Sequence, residues 1–119
     1  MLARDGGMRP FIPETHLFHS RKKFVRWCMR HGCSPVMRDS DAQTILLDGV
    51  AAVLLESRDE GVWLNALLVH EAYHIVCGNL REIGDDGGSS EEVTAYMVQY
   101  VAGLLMQAHE RWLARHVSD

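Results

Sequence analysis

The pattern of hydrophobic and polar positions is clearest in the middle of the chain, where the sequence reads QTILLDGVAAVLLES. Two apolar runs that contain β-branched residues flank the pair Asp48-Gly49. This arrangement is typical of a β-hairpin, because both central positions of a type I′ turn need positive φ. It predicts strands near 43–47 and 50–55. The second strand, in VAAVLLES, is either an edge strand, which can pair with an extended peptide, or a structural strand that covers the core.

Apolar residues at helical spacing lie on both sides of this hairpin. Ser20 is a candidate N-cap for a helix that ends at Gly32. One face of that helix carries four residues: Phe24, Trp27, Cys28 and His31. Near the end of the chain, EEVTAYMVQYVAGLLMQAHERWLARHV predicts a long helix. Its apolar stripe is Val93, Tyr96, Met97, Tyr100, Val101, Leu104, Leu105, Ala108 and Trp112.

A further helix is predicted from Val62 to Gly78, where Gly78 and Asn79 are stop signals. Its flanks around residue 70 are so apolar that we expect most of the helix to be buried. The residues predicted to share one side are Trp63, Ala66, Leu67, His70, Tyr73, His74 and Cys77.

The elements fit one compact α+β domain, with a β-hairpin or small sheet and about three helices. A chain of 119 residues is long enough for a single hydrophobic core. Residues 1–15 contain several glycines and prolines and predict a flexible N-terminal arm. Residues 16–119 then form the domain.

Charge and cysteine usage restrict the partners and the compartment. The net charge of −4 gives no reason to expect binding to nucleic acid or to anionic membranes. No signal peptide and no run of about 18 apolar residues is visible, so we expect neither secretion nor a membrane span. The three cysteines are odd in number and include no Cys-x-x-Cys, which favours a reducing cytoplasm. The sequence does not indicate an oligomeric state.

The chemistry is concentrated in LLVHEAYHIVCG, where His70 and His74 lie four residues apart with Glu71 between them. On a helix, side chains four apart share one face, so two imidazoles can bind one Zn²⁺ at about 2.0–2.1 Å each. Glu71 lies about 100° around the helix from His70, and this position suits it to act as the general base for a metal-bound water. If the helix is buried, a metal would also satisfy both imidazoles.

A catalytic zinc site needs a third protein ligand, and Glu92 is the candidate. It follows a glycine-rich loop that allows the last helix to fold back beside the His-Glu-x-x-His helix. Glu92 also fits a capping box with Ser89, and a start at Ser90 would place it where it favours the helix dipole. Glu91 competes for the ligand position, since the two carboxylates differ by about 100° in direction. Cys77, one turn after His74, fits core packing better than metal binding.

LLVHEAYHIV together with EEVTAYMVQYV resembles the gluzincins, in which a Glu on the next helix follows His-Glu-x-x-His. More narrowly, the chain resembles small metallopeptidases encoded by bacteriophages and prophages, whose Glu, Ala-Tyr and Gln match Glu92, Ala95-Tyr96 and Gln99. The resemblance implies a minimal gluzincin-like (zincin) fold and a zinc-dependent peptidase in the cytoplasm of a bacterial host. It implies His70, His74 and Glu92 as Zn²⁺ ligands, with Glu71 as general base acting on a peptide or protein substrate.

The sequence departs from larger gluzincins at position 96, where Tyr replaces the Asp that supports a metal histidine there. Tyr96 is also a candidate for stabilising the oxyanion, together with Tyr100 and His109. An alternative function is a zinc-binding interaction module of phage origin that has weak or no catalysis and binds a host or virion protein. A third possibility is a helical domain whose two histidines bind no metal.

Overall fold

The computed structural model describes residues 12–35, 41–57, 59–82 and 91–116. In this part of the chain, three strands and three helices form a small α+β fold. Their order is β1 (Glu14–Phe18), α1 (Arg21–Arg30), β2 (Ala42–Leu47), β3 (Val50–Leu55), α2 (Gly61–Glu82) and α3 (Glu91–His116). No helix among the described residues is long and apolar enough to cross a membrane.

The predicted hairpin is confirmed. β2 and β3 pair antiparallel, and Leu47 faces Val50 across the turn. Asp48 and Gly49 both have positive φ, 47° and 79°, as a type I′ turn requires. This turn sets the register that places alternate side chains of both strands on opposite faces of the sheet.

β3 is the central strand, because β1 pairs parallel with its other side, from Glu14 opposite Val50 to Phe18 opposite Leu54. Of the two interpretations of VAAVLLES, the edge strand is therefore wrong and the structural strand that covers the core is confirmed, while the edges of the described sheet are β1 and β2. β3 is buried on both faces, which explains its continuous apolar run. The sequence analysis missed β1, whose start at Glu14 places the last two residues of the predicted arm in the sheet. Residues 1–11 of that arm lie outside the described part.

α1 has the ends that its sequence predicts. The Ser20 hydroxyl accepts a hydrogen bond from the backbone N–H of Lys23, 3.3 Å away, which is the usual N-cap interaction. Phe24, Trp27 and Cys28 are buried against one face of the sheet, as predicted, whereas His31 is exposed at the C-cap. Gly32 follows with φ of 79°.

The sheet separates two apolar layers. Ala52 and Leu54 of β3 point toward α1, while Ala51, Val53 and Leu55 point toward α2 and α3. From α3, Met97, Val101, Ala102 and Leu105 enter the second layer. Two residues of the predicted α3 stripe, Val93 and Tyr96, are instead exposed.

The predicted buried side of α2 is wrong in phase. Trp63, Tyr73 and both histidines of the motif are exposed. The residues that enter the core are Leu64, Leu68, Glu71, Ala72, Ile75, Val76, Asn79 and Leu80. The helix is apolar around much of its circumference, so periodicity alone did not distinguish the side that packs on the sheet.

α2 also continues past Gly78, the predicted stop, to Glu82. A Cβ built on Gly78 would lie 2.9 Å from Leu46 Cδ2. This glycine therefore allows α2 to approach β2 closely and does not end the helix. The close approach forms one side of the candidate functional site.

Candidate functional site

A cleft of about 670 Å³ lies between α2 and the edge strand β2. Both histidines and the glutamate of the His-Glu-x-x-His motif line it. The lining includes His70, Glu71 and His74 from α2, Thr44 and Leu46 from β2, and Cys33 from the segment after α1. The structure therefore brings the motif to one concave surface, which is the usual setting of a small-molecule or peptide site.

The two motif histidines face each other. Their Nε2 atoms are 3.1 Å apart and hydrogen-bonded, and the ring centroids are 4.7 Å apart with an interplanar angle of 77°. This pairing follows from the four-residue spacing on α2. Two bonds of about 2.0–2.1 Å to one tetrahedral ion separate the donor nitrogens by roughly 3.3 Å. The observed separation is close to that value, so the pair fits two ligand positions of one zinc ion.

Glu71 has a different environment from the histidines. Its side chain is only 5% exposed, because its rotation around α2 turns it from the open face toward β2. There its Oε1 accepts a hydrogen bond from the Thr44 hydroxyl at 2.5 Å. A hydrogen-bonded hydroxyl compensates part of the cost of burying a carboxylate.

Thr44 is a site residue that the sequence analysis missed. It lies two positions before Leu46, which packs toward α2 and α3, and alternate residues of a strand share one face. The available signal was a polar residue at a position that shares its face with the inward-facing Ala42 and Leu46. Reading that signal required knowing which side of α2 faces β2.

The expectation that the motif histidines are buried, so that a metal would satisfy both, is wrong in its premise. His70 and His74 are exposed to solvent, where water satisfies imidazole nitrogens at little cost. Cys77 is partly buried and hydrogen-bonds with Tyr73, which raises the pKa of the Tyr73 hydroxyl.

The third predicted ligand, Glu92, is exposed in the first turn of α3 beside Glu91. Within residues 12–35, 41–57, 59–82 and 91–116, no three His, Cys, Asp or Glu side chains form a group that could hold a metal ion. The described lining of the cleft does not include Glu92. Residues 83–90, which contain Ser89 and Ser90, lie outside the described part, so the capping alternatives stay predictions, as does the ligand role of Glu92.

The candidates for oxyanion stabilisation are dispersed. Tyr96 is 54% exposed and Tyr100 is partly buried, and neither is among the described residues of the cleft lining. His109 is hydrogen-bonded to His19, with Nδ1 and Nε2 2.9 Å apart.

His109 belongs to a second cluster of aromatic and basic side chains. His19 stacks on Trp112 with centroids 4.0 Å apart, and Trp112 also stacks with His116. Burial, followed by the nearby His109, His116 and Arg115, lowers the pKa of His19 to about 4. Burial also lowers the pKa of His109, against a smaller opposing effect of Glu110. The sequence analysis did not predict this cluster, because no local spacing relates position 19 to position 109.

Comparisons with protein-family models, curated proteins and solved structures find no match to the chain. A functional interpretation therefore depends on the site itself.

Proposed function

We propose that this protein is a zinc-dependent metallopeptidase of the gluzincin type that hydrolyses peptide bonds. In this proposal His70, His74 and Glu92 hold the zinc, and Glu71 is the general base. The observation that carries it is the shared cleft, where the paired Nε2 atoms and Glu71 meet beside an edge strand.

The donor set supports two of the three ligand positions. The two imidazoles already approach each other with the spacing that one ion needs. The proposal assigns the third position to Glu92, at the start of the helix that packs beside α2. Zinc in such a site lowers the pKa of a bound water to near 7 and polarises a carbonyl group.

Glu71 performs the proton transfers in this proposal. The Thr44 hydroxyl donates to Oε1, which restrains the carboxylate and leaves Oε2 as the oxygen that accepts the proton from the attacking water. Glu71 then delivers that proton to the leaving amine. A general base that is oriented in advance loses less entropy in the transition state.

β2 supplies the binding surface for the substrate. It is an edge strand of the described sheet, and residues 42–46 line the cleft that contains the motif. An extended peptide can add to such an edge through main-chain hydrogen bonds. The substrate class in this proposal is therefore an extended segment of a peptide or protein.

The decisive experiment combines zinc stoichiometry with cleavage of a peptide library by wild type and Glu71→Gln. We expect both proteins to bind one zinc, and the substitution to reduce cleavage by at least about 100-fold, since general base catalysis contributes 10²–10⁴-fold. Glu110→Gln, on the exposed side of α3, is the matched control and should cleave like wild type. Equal cleavage by wild type and Glu71→Gln would refute the mechanism.

The ligand assignment has its own test. His70→Ala and Glu92→Gln should each weaken zinc binding, and Glu91→Gln should not, as measured by competition with a chromophoric chelator. If Glu91→Gln loses zinc and Glu92→Gln keeps it, the third ligand is Glu91 and not Glu92.

A second candidate function is a zinc-binding interaction module of phage origin that acts by binding a host or virion protein. Two observations favour it. Glu92 is exposed, and so are two aromatic residues on the same side of α2 as His70, Trp63 (74%) and Tyr73 (55%). Exposed aromatic residues are frequent in binding surfaces. Stoichiometric zinc without cleavage of any library peptide by wild type would favour this function over the peptidase.

A further inference from the structure

Two cysteines meet at the C-terminal end of α1. The backbone N–H of Cys33 donates to the Cys28 carbonyl at 2.8 Å, and the N–H of Gly32 donates to the Met29 carbonyl at 3.1 Å. With Gly32 at φ of 79°, these two bonds form a Schellman cap. Side chains at the two positions that Cys28 and Cys33 occupy in this cap usually contact each other.

The separation of the two residues suits a disulfide. A direct backbone hydrogen bond keeps the two Cα atoms within about 6 Å, inside the range of about 4.4–6.8 Å that disulfides span. Both thiols are free, and both residues belong to the same apolar layer. Burial raises the pKa of the Cys28 thiol, and the charge of a nearby Cys33 thiolate raises it further.

The two thiols differ in access. Cys28 is completely buried on the side of α1 that faces the sheet. Cys33 is partly exposed and lines the cleft that contains His70 and His74. An oxidant that enters the cleft therefore reaches Cys33 first, with Cys28 behind it as a second thiol. Susceptibility of cysteines to oxidation follows thiolate character and exposure, and oxidisable cysteines often lie next to a resolving thiol.

We propose that Cys28 and Cys33 are an oxidisable dithiol at the rim of the cleft, which hydrogen peroxide converts to an intramolecular disulfide. The Cys33 thiolate attacks one peroxide oxygen, the O–O bond breaks, and the departing hydroxide takes a proton to become water. The Cys28 sulfur then attacks the sulfur of the Cys33 sulfenic acid. The S–S bond forms as the S–O bond breaks, and the released hydroxide leaves as water with the Cys28 proton. Overall, two thiols lose two electrons and two protons, and one peroxide becomes two waters.

The disulfide would change the wall of the cleft. Residues 33–35 follow the α1 cap and line the cleft, so a bond from Cys33 to Cys28 fixes this wall against the helix. The inference is independent of the proposed peptidase function, because the bond forms or fails to form whatever the cleft binds.

The test uses the full chain, reduced and then freed of reductant, before and after hydrogen peroxide treatment. Remaining thiols are alkylated, and the unfolded protein is digested with trypsin. Trypsin cuts after Arg30, so the disulfide appears as the peptide WCMR joined to HGCSPVMR. We expect this linked pair to exceed any pair containing Cys77 by at least about tenfold and to disappear on reduction, because oxidation is site-selective.

Two variants make the result specific. Cys33→Ser should give no linked pair, and Cys77→Ser, the matched control, should give as much as wild type. Circular dichroism confirms that each variant is folded. Oxidation of Cys33 to sulfinic acid without a linked pair, or a preferred bond to Cys77, would overturn the proposal.

Discussion

At the scale of single residues, the contact between Thr44 and Glu71 joins the edge strand to the helix that carries the motif. Glu71 is buried, so its carboxylate depends on the Thr44 hydroxyl for part of what water would supply. The sequence identified Glu71 through its motif. It did not identify Thr44, because the contact is long-range and depends on which side of α2 faces the sheet.

We predict that Thr44→Val lowers the free energy of unfolding by about 1.5–3 kcal/mol, the usual value of a hydrogen bond to a charged group. Urea unfolding at pH 7 measures this change. Thr44→Ser keeps the hydroxyl and should recover much of the loss. Thr15→Val, which removes a bond to the backbone carbonyl of Pro13, is the matched control, with an expected cost of about 0.5–1.5 kcal/mol. The idea fails if Thr44→Val is as stable as wild type.

At the scale of elements, sequence signals were reliable where the cause is local. Asp48-Gly49 predicted the hairpin because its turn needs two residues with positive φ. Ser20 predicted the start of α1 because its side chain caps that helix. The side of α2 and its end were wrong, because both depend on packing against β2. Gly78 is the example: in sequence it resembles a stop signal, whereas in the structure it allows close contact with Leu46.

Replacing glycine with alanine tests whether Gly78 is a helix stop signal or a position of close contact between α2 and β2. Gly103 lies inside α3, and a Cβ there has no neighbour within 4 Å. Gly103→Ala should therefore gain most of the roughly 0.8–1.0 kcal/mol difference in helix propensity. Gly78→Ala should gain less or lose stability, because overpacking costs about 1–3 kcal/mol and Leu46 must move. Chemical denaturation of both variants measures the difference, and an equal gain at the two positions would contradict the packing explanation.

At the scale of the whole molecule, the long helix α3 packs beside α2 and contacts the junction of β1 and α1 through its C-terminal half. Its first turn carries Glu92, and its C-terminal half reaches His19, which lies between β1 and α1. There His19 hydrogen-bonds with His109 and stacks on Trp112. The sequence predicted the helix but not this long-range contact, which depends on the position of β1.

This contact makes stability depend on pH. The pKa of His19 is about 4 in the folded chain and about 6.5 when unfolded, because of burial and of His109, His116 and Arg115. The unfolded state therefore binds more protons below pH 6.5, and the folded state loses stability as pH falls from 6.5 to 4. Because His19 is half-exposed, solvent screening reduces the expected loss to about 1–2 kcal/mol.

Urea unfolding of wild type and His19→Gln between pH 7.5 and 4 measures this loss. The variant should show a smaller decrease over that interval. Gln107→Asn, at an exposed position of α3 that carries no titratable group, should keep the wild-type slope. A pH dependence that is unchanged in His19→Gln would assign the acid sensitivity to other groups.

The central place of β3 also has a consequence for folding. The hairpin of β2 and β3 is local and closes in about 1–10 μs, whereas β1 must pair with β3 across a long stretch of chain, which is slower. Until β1 is in place, the apolar strand VAAVLL has one unpaired side. An apolar strand with an open edge recruits strands from other chains. The pairing of the short segment ETHLF with β3 closes this edge, so we expect a chain in which that pairing is weakened to aggregate more readily.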